Sequence, residues 1–327
     1  MRILSESIGI DPGTASVKIY IKGKGIVLDE PCLAAVDKNT GEVVSVGTDA
    51  EELISKIPDS VSAVNPVKHG EIYDYNTAER MFRMFFDKCS SRRIVKPRVL
   101  VAVSSDCTDV QKRAIEEALV SAGVKSVVFK NKSLAAAVGA GIDINDISGN
   151  LIIDIGCGSV NAAVISMGAV VASKSAKIAG DDFAESIIRH IKNKYGVGIG
   201  HRAAEEVKTM LAGDDVTKTD GCIVVGRDVL TGLPRSVKVL LCEIKEALSP
   251  NLMDIVDQIR SVIELTPSEL VSDIMDNGAV LTGGSSFLPG LSEIIYKELN
   301  IRATMADNPR NSVVIGLGRI LDKEYIF

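Results

Sequence analysis

Tryptophan is absent from the 327 residues, and six tyrosines and seven phenylalanines are the whole aromatic stock. So thin a supply offers few platforms on which bases could stack. A basic surplus is missing too. Lys and Arg number 37 against 43 Asp and Glu, a net charge of −6, whereas a nucleic-acid coat needs a clear excess of cations. No nucleic-acid partner is therefore expected. The mean hydropathy of +0.21 is high, yet no apolar run reaches the roughly 18–20 residues of a membrane span. The start, Met1-Arg2-Ile3-Leu4-Ser5-Glu6-Ser7-Ile8, lacks the long apolar core and small-residue cleavage site of a secretory signal. The six cysteines (Cys32, Cys89, Cys107, Cys157, Cys222, Cys242) contain no Cys-x-x-Cys pair, and His69, His190 and His201 do not cluster with them. Neither a structural zinc nor a disulfide framework is expected from that spacing; the cysteines read as small buried hydrophobes in a reducing cytoplasm. Walker A is also missing, which excludes a P-loop.

What the chain does have is bulk and repetition. With 46% hydrophobic and 24% charged residues it is globular, and its length fits two domains with cores of their own. Ser7-Ile8-Gly9-Ile10-Asp11-Pro12-Gly13-Thr14 is an apolar run ending in Asp-x-Gly-Thr; Leu151-Ile152-Ile153-Asp154-Ile155-Gly156-Cys157-Gly158-Ser159 is another, ending in Asp-x-Gly-x-Gly-Ser. A second strand-like run follows each, alternating at Val17, Ile19 and Ile21 in the first case and apolar over Ala162–Ile165 in the second. Both read as strand, tight glycine turn, strand, with an acid at the mouth.

Strands and helices alternate around these hairpins, which argues an α/β architecture with covered sheets. Arg98–Val103 is a buried strand, and Thr108-Asp109-Val110-Gln111 is a capping box opening a helix to about Ala122. Phe183, Ile187, Ile188, Ile191 and Tyr195 mark one face of a helix that Gly196 ends. A longer helix is predicted from about Glu243 to Leu265, broken near Ser249-Pro250. Gly278–Ser285 reads as a strand running into a Gly-Gly turn.

A phosphate chain needs backbone N–H donors at close approach, which small residues permit, and a cation to offset its charge. Gly13-Thr14 and Gly156-Cys157-Gly158-Ser159 supply such donors from two sides, and Asp11 and Asp154 stand where they would hold a hydrated Mg²⁺. Gly283-Gly284-Ser285 lets a base or ribose lie against backbone. One Asp-x-Gly-x-Gly alone is an ordinary hairpin turn; two copies and a third Gly-Gly turn, in this order, are a nucleotide pattern.

In that order the chain resembles the actin-like ATPase superfamily, and within it the MreB family of bacterial actins. Further segments carry the resemblance: Lys22–Leu28, Lys96-Pro97-Arg98-Val99, Leu134–Gly141, Ala179-Gly180-Asp181, Gly226–Pro234 with its Thr-Gly-Leu-Pro, and Val280–Gly284. The resemblance implies two ribonuclease-H-like lobes around a nucleotide cleft, each with a smaller inserted subdomain. The first lobe would span 1–145 with an insert at about 33–66, the second 146–327 with an insert at about 182–243. A last helix at about 312–327 would pack back toward the first lobe. It further implies ATP or ADP with Mg²⁺ as cofactor, self-assembly into filaments, and a peripheral position at the inner face of the cell membrane beside shape-determining and cell-wall synthesis proteins. Residue by residue, Asp11, Gly13, Thr14 and Ala15 match the first phosphate loop, and Asp154, Gly156, Cys157, Gly158 and Ser159 the second. Gly180 and Asp181 match the turn near the ribose, Glu205 and Lys208 the helix beside ribose and adenine, and Gly283, Gly284 and Ser285 the adenosine turn. Lys18 falls where actin has a phosphate-contacting lysine; the alternative is a solvated strand residue.

Two departures concern the reaction. Where the family has a water-positioning glutamate this chain has Lys132, and where it has a second acidic residue stands Asn161. A charged lysine has no acceptor with which to orient water. About 6 Å from Mg²⁺ it would cost roughly 5–6 kcal/mol at an effective dielectric near 20, before the phosphates offset it. Hydrolysis is accordingly expected to be weak or absent. In the same family the residues before Lys96-Pro97 form a membrane-entering loop, which makes Ile94 and Val95, flanked by Arg92 and Arg93, the expected apolar tip. The rival readings are a monomeric nucleotide-binding regulatory module and a small-molecule kinase on the same fold.

Overall fold

A computed structural model describes residues 7–89, 96–211 and 221–323. The first lobe opens with strands β1 (Ser7–Pro12), β2 (Ser16–Ile21) and β3 (Gly25–Pro31). A small outlying unit follows: β4 (Ala34–Asp37), β5 (Val43–Val46), helix α1 (Thr48–Lys56) and β6 (Val61–Val64). The short pair β7 (Val67–Lys68) and β8 (Glu71–Ile72) leads to α2 (Tyr75–Cys89), β9 (Arg98–Val103), α3 (Asp109–Ser121), β10 (Ser126–Asn131) and α4 (Lys132–Ala140). The second lobe begins with β11 (Asn150–Ile155), β12 (Val160–Ser166), β13 (Ala169–Ala176) and α5 (Gly180–Tyr195). Next come β14 (Val197–Gly198), α6 (His201–Met210), β15 (Gly221–Asp228) and β16 (Pro234–Leu240). It closes with α7 (Leu241–Glu264), α8 (Ser268–Asn277), β17 (Ala279–Thr282), α9 (Leu291–Leu299), β18 (Ala303–Met305) and α10 (Ser312–Asp322).

The two main sheets are built alike. One runs β10-β9-β1-β2-β3 and the other β18-β17-β11-β12-β13. In each, a central strand pairs antiparallel with the strand its glycine turn leads into, and parallel with a strand that returns after a helical crossover. Parallel pairing requires such a crossover, and a central strand covered on both faces reads as a continuous apolar run, which is why Ile8–Asp11 and Leu151–Ile155 look alike. Equivalent strand ends then place Asp11 and Asp154 at the same rim of the two sheets.

Between the sheets lies one shared core. Leu100 and Ala102 of β9, Ala135–Ala137 of α4, Ile152 of β11, Ala163 and Ile165 of β12 and Leu317 of α10 form a single buried cluster. Here α4 and α10 cross backbone to backbone. A Cβ on Gly139 would stand 1.7 Å from the Ser312 carbonyl oxygen, and one on Gly316 1.8 Å from that of Ala135. α10 continues over the first sheet, with Gly318 against the Tyr20 ring.

One element differs from its sequence pattern. α7 is continuous from Leu241 to Glu264 with Pro250 inside it, not broken there. Leu241, Ile244, Leu248, Leu252, Ile255, Val256, Ile259 and Val262 are all buried on one side of it; that burial outweighs the hydrogen bond a mid-helix proline removes.

Candidate functional site

The strand ends and turns meet at a cleft of about 370 Å³ between the lobes. Hairpin register explains the geometry of its floor. Asp11 is paired with Lys18 across β1 and β2, and Asp154 with Asn161 across β11 and β12, so Lys18 and Asn161 hold equivalent positions in the two hairpins. The equivalence is visible only once both registers are set.

Lys18 is not solvated; it is 6% exposed. Its Nζ donates to the Arg310 carbonyl at 2.9 Å. Burial pushes its pKa below the ordinary lysine value, with the charges of Asp11 and Asp29 opposing that fall. Asn161 is 1% exposed and stands behind the second loop rather than on the cleft wall. Its Nδ2 donates to Ser159 Oγ at 3.3 Å and its Oδ1 accepts from Ser175 Oγ at 2.8 Å. The Ser175 hydroxyl in turn meets that of Ser104 from the first lobe, so a run of hydroxyls links the lobes at this point.

Lys132 points inward. Its Nζ lies 3.5 Å from Asp154 Oδ2 and 3.9 Å from Asp11 Oδ1. Burial alone would lower its pKa, but the two carboxylates outweigh it and hold the ammonium above the usual lysine range. Asp154 is 2% exposed; its other oxygen accepts from Thr282 Oγ1 at 3.1 Å, while Oδ2 has no hydrogen-bond partner.

Backbone at close quarters forms the walls. Gly158 has no room for a side chain, since a Cβ would sit 2.4 Å from Thr14 Oγ1, so the two loops touch there. Gly283 has φ +88° and Ile155 O at 2.2 Å from any Cβ, and only glycine meets both conditions. Ser285 Oγ donates to the Gly156 carbonyl at 2.8 Å. Gly13, Thr14, Ala15, Gly156, Cys157, Ser159, Glu205, Lys208 and Gly284 all line the same cleft. Gly180 and Asp181 stand one layer back, where the Gly180 N–H bonds Gly156 O and the Asp181 N–H bonds Cys157 O. Cys157 Sγ donates to Asp181 Oδ1 at 2.9 Å, and burial pushes its thiol pKa far up. Lys208 pairs with Glu205 at 2.6 Å and donates to Gly180 O.

His69 carries no motif in the sequence. It sits at φ +52° in the turn between β7 and β8, and its Nδ1 lies 2.6 Å from the Gly158 carbonyl oxygen. Arg310 and Asp29 also line the cleft. No sequence pattern marks them, because tertiary packing alone brings them there. Among the described residues no group of three or more His, Cys, Asp or Glu is placed to hold a metal ion. Ile94 and Val95 lie outside the described residues.

Two mirrored sheets, with glycine turns closing on a cleft at matching strand ends, define an actin-like protein. The family model for the MreB/Mbl protein matches residues 5–326, and the chain belongs to that family. It is 40% identical over 322 residues to the cell shape-determining protein Mbl of Bacillus subtilis, covering 98% of this chain and 97% of that one. With the cell shape-determining protein MreB of Escherichia coli it shares 37% over 330 residues, at 98% and 94% coverage. Among solved structures, MreB5 of Spiroplasma citri bound to AMPPNP superposes with a TM-score of 0.90 at 32% identity, covering 98% of this chain and 96% of the other. The MamK double helical filament shares the fold, with a TM-score of 0.82 at 18% identity.

Proposed function

We propose that this chain is a nucleotide-binding, filament-forming cell-shape protein that turns its nucleotide over slowly or not at all. The observation that carries the reading is the convergence of both hairpin loops and the Gly283 turn on one cleft with Lys18 and Lys132 at its floor. Backbone donors and two ammonium groups suit a phosphate chain, and a relative with 32% identity is bound to AMPPNP. Slow turnover rests on Lys132, which offers no acceptor for water, and on Asn161, which is held behind the loop by serine hydroxyls.

Magnesium, which the family resemblance implies, does not fit these residues. Both carboxylates that would hold its water shell already face an ammonium. A divalent ion about 4 Å from that ammonium would meet roughly 8 kcal/mol of repulsion at an effective dielectric near 20.

Assembly has a surface available to it. The β15–β16 hairpin carries Ile223, Val225 and Val229 outward, with Leu230 96% and Leu233 65% exposed at its tip. Asp228 fixes that tip, its Oδ1 accepting from the N–H groups of Leu230 and Thr231 and its Oδ2 from Arg235. We assign this apolar tip to contact with a second copy of the chain. The test is sedimentation with and without ATP: wild type pellets with nucleotide, and a Leu230→Ser, Leu233→Ser variant stays in the supernatant at an unchanged melting temperature. Wild type remaining monomeric in both conditions would favour the regulatory-module reading.

Association with the membrane is assigned to Ile94 and Val95 with their basic neighbours. Two aliphatic side chains contribute about 1.5–3 kcal/mol each when buried and each basic residue about 1 kcal/mol beside anionic lipid, so a filament binds where one copy scarcely would. Anionic liposomes should pellet wild type and release an Ile94→Ser, Val95→Ser variant; equal pelleting rejects the site. No helix among the described residues is long and apolar enough to cross a membrane. A position at the inner face of the cell membrane, in the cytoplasm and beside cell-wall synthesis proteins, belongs to the same proposal.

A further inference from the structure

We infer that this chain takes its nucleotide without a divalent ion, the Lys132 ammonium between Asp11 and Asp154 serving as a tethered counter-cation for the phosphates. The inference rests on the nucleotide reading above and says which form of the ligand the cleft accepts: a metal-free nucleoside di- or triphosphate.

Three observations support it. The first is position: one ammonium lies within 4 Å of a carboxylate from each lobe, the two acids that would otherwise be free to hold a cation. The second is a conflict between local and tertiary preference. Lys132 is the first residue of α4, directly after the N-cap Asn131, whose side chain accepts from the Leu134 N–H. A cation there opposes the helix dipole, and the start of the helix is fixed, since Asn131 Nδ2 also donates to Ser105 Oγ at 2.7 Å. A residue that breaks its local rule at a cleft is one whose placement the site itself determines. The third is charge. Asp11 and Asp154 carry two negative charges at the floor, and Lys18 and Lys132 two positive ones, so the floor is neutral before any ligand arrives. Phosphates entering it meet two ammonium groups, each on a flexible four-carbon stem, and that of Lys132 can turn from carboxylate to phosphate.

The experiment is a titration of the full chain with a fluorescent ATP analogue, once in excess Mg²⁺ and once in EDTA. Wild type binds with affinities within about threefold in the two conditions, a difference of about 0.7 kcal/mol. Lys132→Gln loses at least about 30-fold in EDTA, near 2 kcal/mol, and recovers most of it in Mg²⁺. A second readout needs no nucleotide. Lys132→Glu gathers three carboxylates, so its melting temperature rises with Mg²⁺, while that of wild type does not. Wild-type binding that is lost in EDTA overturns the tethered cation and leaves the nucleotide reading standing. Binding in neither condition overturns the nucleotide reading and this inference with it.

Discussion

Replacing Gly139 by alanine lowers the stability of the fold by at least about 3 kcal/mol, and the melting temperature by about 5 °C or more. In an ordinary helix the same change would stabilise by about 1 kcal/mol, because alanine has the higher helix propensity. Here the added methyl would stand 1.7 Å from a backbone oxygen of α10, and neither backbone can give way by rotating a side chain. The two helices must separate, and with them the shared core between the sheets. Gly316→Ala makes the same demand from the other side. The double variant costs less than the sum of the two, since the helices separate only once. Chemical denaturation of the three variants checks this, and a Gly139→Ala loss below about 1 kcal/mol would mean that the backbones are not in contact.

The Lys132→Glu, Asn161→Asp double variant releases phosphate at least about tenfold faster than wild type in Mg²⁺, a gain of about 1.4 kcal/mol in barrier. Glutamate at the first turn of α4 suits the helix dipole, gives the water an acceptor and frees Asp11 and Asp154 from their ammonium. Aspartate at 161 fits its surroundings, because the hydroxyls of Ser159 and Ser175 that now flank the amide can both turn to donate. A steady-state phosphate-release assay decides. Turnover no higher than wild type would place the defect elsewhere, and wild-type turnover equal to that of an ordinary family member would overturn the slow-hydrolysis reading.

Much of the fold was legible because its signals are local. The paired Asp-x-Gly turns, the Thr108 capping box and the Gly196 stop each depend on residues a few positions apart. Pro250 misled for the same reason: a proline speaks locally for a break, and the apolar face of α7 answers from across the core. Within the site, the glycine loops could be read directly, but the aim of an ammonium could not. Lys18 alternates with apolar neighbours just as a solvated strand residue does, and only the closing of the second lobe and of Arg310 buries it. Nothing in Asn131-Lys132-Ser133 says that the lysine faces two acids 121 and 22 residues away (132 − 11 and 154 − 132). His69 has no local signal, because its partner is a carbonyl of the other lobe.

α4 joins two of these features in one rigid rod. Its first residue carries the positive charge at the cleft floor, and its middle is locked against α10 where both sheets share their core. The residue that carries the cleft-floor charge and the surface that fixes α4 against α10 thus sit on one short helix, with no loop between them.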